Sequence, residues 1–218
     1  MINLKNISKD YVIGKNKNRV LDNINLFVKK GEMISIMGKS GCGKSTLINI
    51  IGAITEMTEG EYFFNENKVE FKRKIKLADF RYENIGYIVQ NFALINTKTA
   101  YENIALPLYL QEKRTTDNLV NHYASLMEIS DKLSNYPYEM SGGECQRVAI
   151  ARALIKKPKV LLADEPTGSL DSYNEKIIIN YLRQIANEGT TVIIVTHDHS
   201  VANVSDRIVH MKDGKITN

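Results

Sequence analysis

The spacing of apolar and polar residues changes along the chain, and the changes predict its elements. Ile24, Leu26 and Val28 alternate with Asn25, Phe27 and Lys29, the two-residue period of a half-buried strand. Gly31 closes that run with a turn. Met33-Ile34-Ser35-Ile36-Met37 follows as a short apolar strand and passes into a glycine-rich segment, Gly38 to Gly43. After Lys44, the run Ser45 to Ile51 reads as a buried helix that Gly52 ends. The local order is strand, glycine loop, helix. Glu61 to Ile75 reads as short strands around an Asn65-Glu66-Asn67 turn, followed by the basic run Lys72-Arg73-Lys74 and Lys76. Ile85 to Val89 is a strand ending at Gln90.

From about Thr99 to Ile155 the period turns helical. Ala100, Ile104 and Leu108, then Leu119, Tyr123 and Leu126, fall at helical spacing, with Pro107 as a kink or break. Beyond it strand and helix alternate. Val160 to Ala163 is an apolar strand ending at Asp164-Glu165, and a helix is expected from about Asp171 to Asn187. Thr191 to Val195 is a second buried strand, ending at Thr196-His197. Continuous apolar strands separated by helices predict a parallel sheet covered on both faces. Asp213-Gly214, between Arg207–Met211 and Lys215-Ile216, signals a hairpin.

The chain has 218 residues, 43% hydrophobic and 25% charged, enough to bury a substantial core in one α/β domain. No Gly/Pro/Ser-rich linker sets the helical region apart as an independent unit. No apolar run approaches the length of a membrane span, and the polar, alternating start does not read as a signal peptide. Two cysteines, Cys42 and Cys145, make no disulfide framework, so a reducing compartment is expected. The net charge of +4 is too mild to argue for nucleic acid, and none is expected as a partner. The basic segments Lys15–Arg19 and Lys72–Lys74 read as solvated loops.

Gly38-Lys39-Ser40-Gly41-Cys42-Gly43-Lys44-Ser45-Thr46 fits the phosphate-loop pattern G-x-x-x-x-G-K-[ST]. Its glycines let successive backbone N–H groups point at one anion, and the helix that follows adds its positive end. Lys44 is placed for the outer phosphates, and the Ser45 hydroxyl for Mg²⁺. Asp164 and Glu165 sit at the end of a buried strand, where ligands of open α/β sheets gather. Asp164 suits the metal, and Glu165 suits the activation of a water molecule.

Further motifs follow in order. Gln90 lies between the phosphate loop and the helical region. Ser141-Gly142-Gly143-Glu144 opens a helical run containing Gln146-Arg147. Gly168-Ser169-Leu170-Asp171 follows the acidic pair, and His197 ends the next strand. This set resembles the nucleotide-binding subunit of ABC transporters from about Leu4 to Ile216. The resemblance implies a P-loop NTPase fold of α/β class: a mostly parallel core sheet, an N-terminal antiparallel β subdomain and an inserted α-helical subdomain. Residues 1–218 would form a single ABC ATPase domain, with about 1–90 and 157–218 as catalytic core and about 91–156 as helical subdomain.

The resemblance also assigns roles. Ser141, Gly142 and Gly143 would contact the γ phosphate of ATP bound to another subunit. Gln90 would meet Mg²⁺ and sense the membrane partner. Asp171 would link two composite sites, His197 would hold the γ phosphate and Glu165 in register, and Tyr11 would stack on adenine. Met140 and Glu144 replace the family's usual leucine and glutamine, and Glu144 is expected to point away from the phosphate site. Glu144 and the segment Asp164 to Asp171 resemble the macrolide-exporter and lipoprotein-release subgroup. Gln90 to Ile95 is similar to members that serve bacteriocin-export and antimicrobial-peptide-resistance permeases.

The function so implied is an ATPase that needs ATP and Mg²⁺ and dimerises around two ATP molecules. It would drive separate integral membrane permease subunits from the cytoplasmic face of a bacterial membrane, exporting or extracting a peptide, antibiotic or lipoprotein. The alternative is a cell-division-type ATPase that regulates a membrane partner and moves no substrate. A soluble kinase would leave Ser141–Gly143 and Asp171 without a purpose. Cys42 lies in the phosphate loop, so a bulky thiol reagent there is expected to block turnover and ATP to slow the labelling; the competing reading makes both cysteines small buried fillers.

Overall fold

The computed structural model describes residues 1–14, 16–109, 117–168 and 170–217. Ten strands and seven α-helices are described. An antiparallel sheet comes first in the chain: β1 (Ile2–Ile13), β2 (Asn16–Val28), β4 (Glu59–Phe64) and β5 (Asn67–Lys68), in the order β2-β1-β4-β5. The second sheet contains β3 (Met33–Met37), β6 (Ile85–Ile88), β7 (Val160–Asp164), β8 (Thr191–Thr196), β9 (Arg207–Lys212) and β10 (Lys215–Thr217). Its order is β10-β9-β3-β8-β7-β6, parallel throughout except for the β9–β10 hairpin across Asp213-Gly214.

The helices are α1 (Lys44–Ile51), α2 (Lys74–Asn84), α3 (Ala100–Tyr109), α4 (Asp117–Leu126), α5 (Gly142–Leu154), α6 (Ser172–Asn187) and α7 (His199–Ala202). The strand alternation sorts side chains into two cores. Ile34, Ile36, Leu162, Ile193 and Val195 join α1 and the antiparallel sheet in one core. Leu161, Ala163, Val192 and Ile194 face α3 to α6 in the other. The central sheet is covered on both faces, and the C-terminal ends of β3, β7 and β8 reach the same edge.

Three expectations need correction. Residues 16–19, expected in a solvated loop, open β2, where Lys17 and Arg19 pair with the buried Asp10 carboxylate. The segment from Glu61 to Ile75 holds strands only as far as Lys68; its basic run leads into α2, a helix the apolar spacing did not indicate. With Leu77 and Asn84 as its only buried residues, α2 has almost no apolar stripe to read. Pro107 neither ends nor interrupts α3, which continues to Tyr109. Ser169 and Lys15 lie outside the described residues, as does the 110–116 connection.

The antiparallel sheet depends on a close approach at Gly60, where φ is +101° and an added Cβ would lie 2.5 Å from the Asn6 carbonyl oxygen and 2.6 Å from that of Lys5. Backbone atoms cannot swing aside as a side-chain tip does. Gly60→Ala is expected to lower stability by about 1–3 kcal/mol, through strained backbone and a displaced β1, measured by urea denaturation. An unchanged midpoint would show that the contact yields freely.

Candidate functional site

The phosphate loop joins β3 to α1, and its shape is fixed by its neighbours. A Cβ on Gly38 would lie 2.3 Å from the Met211 carbonyl oxygen and 2.7 Å from Cys42 Sγ. Gly43 has φ +103° and packs against the Val20 carbonyl and Leu21. Gly43 also stands at the N-cap of α1, where no side chain caps the helix. The first N–H groups of α1 are thus left for a ligand. Lys44 is buried, and its ammonium donates to the carbonyls of Gly38 at 2.7 Å and Lys39 at 3.1 Å. A third N–H remains for an anion.

A cleft of about 490 Å³ opens over this loop. It is lined by Ser40, Gly41, Gly43, Lys44, Ser45 and Thr46, by Gln90 beyond β6, by Asp164 and Glu165 at the end of β7, and by His197 after β8. A larger hollow, about 890 Å³, lies beside Phe27, Arg207 and Ile216 and contains no phosphate-loop residue. Chemistry, not volume, picks out the smaller one.

Asp164 is half-buried, and its Oδ1 has no hydrogen-bond partner among the described residues. Burial pushes its carboxyl above the ordinary range, while the neighbouring Ser45 hydroxyl pulls it back down. A buried carboxylate oxygen without a donor, beside a hydroxyl and facing a phosphate cleft, fits a hard cation with oxygen ligands. Glu165 has φ +48°, an uncommon conformation for a residue other than glycine. Its N–H donates to the Val195 carbonyl at 2.9 Å, and its carboxylate meets His197 Nδ1 at 2.9 and 3.0 Å. That contact raises the His197 pKa.

The cleft does not gather every anticipated residue. Tyr11 does not line it; the ring lies exposed on β1, with Lys9 Nζ 5.1 Å from its centre. Ser141, Gly142, Gly143 and Asp171 are also outside it. Ser141 N-caps α5 and Asp171 N-caps α6, accepting from the N–H groups of Tyr173 and Asn174. Asn174 bridges the two: its Nδ2 donates to Asp171 Oδ2 at 2.8 Å, and its Oδ1 sits so close to Gly143 that an added Cβ there would clash with it.

Glu144 is engaged in capping its own helix. Its carboxylate turns back over the start of α5, accepting from Ser141 N at 2.8 Å and Ser141 Oγ at 2.9 Å, while Glu144 N donates to Ser141 Oγ at 3.3 Å. Lys132 Nζ stands 3.3 Å from the same carboxylate. These bonds, the Ser141 N–H first, hold the carboxyl below its ordinary range. Ser-x-x-Glu at a helix start is the capping-box signature, so the sequence did carry this arrangement. It carried no sign of Arg152, whose guanidinium on α5 donates to the carbonyls of Phe92 at 2.7 Å and Ala93 at 2.6 Å in the loop after Gln90.

The ABC transporter family profile matches residues 21–168. The chain belongs to the ABC transporter family. It is 42% identical to the macrolide export ATP-binding/permease protein MacB of Rhodopirellula baltica, covering 99% of this chain but 32% of that protein. The uncharacterised ABC transporter ATP-binding protein MJ0796 of Methanocaldococcus jannaschii is also 42% identical, covering 99% of this chain and 95% of that one. The dimeric post-hydrolysis structure of MJ0796 bound to ADP and Pi superposes with a TM-score of 0.93 at 39% identity, covering 100% of this chain and 97% of that one. A second dimeric MJ0796 structure gives 0.92 at 41% identity. This ABC cassette is an ATP-binding, ATP-hydrolysing domain of α/β fold. No helix among its described residues is long and apolar enough to cross a membrane.

Two outcomes test the site. Below the ordinary histidine value near 6.5 the His197 imidazole is charged in the folded and the unfolded chain alike, and its attraction to Glu165 is fully present. The contribution is lost as pH rises through the raised folded value. His197 should therefore titrate above an ordinary histidine by NMR, and Glu165→Gln should return it to the usual range; a normal His197 titration in the unaltered protein would contradict the contact. For the cysteines, Cys42 is 8% exposed and Cys145 is 6% exposed, its Sγ 3.4 Å from the Pro137 carbonyl. Burial raises the Cys145 thiol pKa. Bulky thiol reagents are expected to react slowly, Cys145 least, with turnover lost in step with Cys42 labelling and ATP slowing both. Full turnover after complete Cys42 modification would refute this.

Proposed function

We propose that this cassette hydrolyses ATP in a sandwich of two copies, each completing the other's site, and so energises separate permease subunits. One observation carries the reading: the phosphate loop, Asp164, Glu165, Gln90 and His197 share one cleft, whereas Ser141–Gly143 and Asp171 lie outside it on other helix starts. Groups that must meet the same triphosphate come from different surfaces, and a second copy can bring them together. The dimeric form of its MJ0796 relative supports this.

In this reading Gly38 to Thr46 bind the phosphates, and Lys44 neutralises their charge. Tyr11 stacks on adenine. Ser45, Asp164 and Gln90 would hold Mg²⁺, whose chemistry when bound is to offset phosphate charge. Glu165 accepts a proton from the attacking water, and His197 orients its carboxylate. ATP is the adhesive between the copies, and loss of the γ phosphate loosens the closed pair. Residues from about 1–90 and 157–218 act as catalytic core and about 91–156 as the helical lobe, with the permease docked near Gln90. The chain would work as a peripheral subunit on the cytoplasmic face of a bacterial membrane. Resemblance to proteins named for macrolide export favours an exporter of peptide, antibiotic or lipoprotein cargo over a cell-division regulator.

Glu165→Gln should lower turnover by about 10²-fold or more, in keeping with loss of a general base, while ATP still binds. On a sizing column that variant should elute as a dimer with ATP, and adding Ser141→Arg should return it to monomer. Normal hydrolysis by Glu165→Gln would refute the base assignment; a dimer unaffected by Ser141→Arg would refute the sandwich.

A further inference from the structure

Gln146, on the second turn of α5, is fully buried. Its Nε2 donates to the Pro166 carbonyl at 2.6 Å, and its Oε1 has no partner among the described residues. A half-satisfied buried amide is costly where leucine or methionine would fill the same space. The bond it makes falls one residue after Glu165.

Glu165 needs external support. A non-glycine residue at φ +48° persists only where its surroundings over-determine it. On one side Glu165 N donates to Val195 O, and Gly168 N closes a turn on Glu165 O at 3.2 Å. On the other side Pro166 has no N–H to offer, so its carbonyl is the only backbone polar group available to anchor the loop there. Gln146 takes that carbonyl. Arg147, the next residue on α5, points its NH1 to Asn174 Oδ1 at 3.5 Å, and Asn174 in turn holds Asp171. The helix that begins with Ser141 therefore grips the 164–174 segment at two places.

We infer that Gln146 is a positioning residue for ATP hydrolysis: by holding the Pro166 carbonyl it keeps the Glu165 backbone in the geometry that aims its carboxylate into the cleft. The inference rests on Glu165 acting as the base. It joins, within one chain, the helix start offered to the neighbour's ATP and the base serving the chain's own ATP.

The test uses the full chain with Gln146→Met and Gln146→Leu, which keep an apolar filler of similar size but remove the donor. Both are expected to lower kcat by about tenfold while the ATP dissociation constant stays within about twofold and melting is little changed, because the loss falls on the chemical step. In a Glu165→Gln background neither should lower the residual turnover further. Normal kcat in either variant, a loss that tracks ATP affinity or melting temperature, or failure of both to fold would overturn the positioning role. Glu165→Gln made alone separates the two ideas: if it retains turnover the base assignment fails, and if it is inactive while Gln146→Met is normal only the Gln146 inference fails.

Discussion

The first turn of a helix leaves N–H groups that must find acceptors, and three helix starts in this chain solve the problem differently. At α6 the Asp171 side chain accepts from two of them. At α5 Ser141 accepts one, and Glu144 reaches back to Ser141 N. At α1 the N-cap is Gly43, with no side-chain acceptor. An uncapped start is tolerable only in contact with water or an anion, and here it opens into a cleft beside a buried lysine. The rest of the architecture serves that opening. β3 delivers the loop, Met211 and Val20 hold its glycines in shape, and β7 and β8 end beside it with Asp164, Glu165 and His197.

Much of this was legible in the sequence because the signals are local. The phosphate-loop spacing, the apolar run that ends in Asp164-Glu165 and the Asp213-Gly214 turn each specify their structure within a few residues. The continuous apolar run from Val160 to Ala163 also foretold a sheet covered on both faces, and the two cores divide its residues as the two-residue period of a strand requires. What stayed hidden was decided by tertiary contact. The helix α2 buries too little to show a period, and Pro107 sits within α3 without ending it. No pattern links Arg152 to the carbonyls of Phe92 and Ala93, or Gln146 to that of Pro166, because those pairs are far apart in the chain. Glu144 is a different case: its capping signature, Ser-x-x-Glu, was in plain view in the sequence.

That charge bears on how α5 could still receive a phosphate. A carboxylate at a helix start favours the helix and repels an anion. Here Glu144 accepts the Ser141 N–H and hydroxyl, and Lys132 stands beside it, so most of its field is met locally. The N–H groups of Gly142 and Gly143 are not used by this cap, which takes the N–H of Glu144 instead. Removing the carboxylate would lower repulsion but also release Ser141 from its fixed orientation. Lys132 offsets part of that repulsion, and the cap leaves the Gly142 and Gly143 N–H groups unused, so the capping glutamate is compatible with an anion-binding helix start.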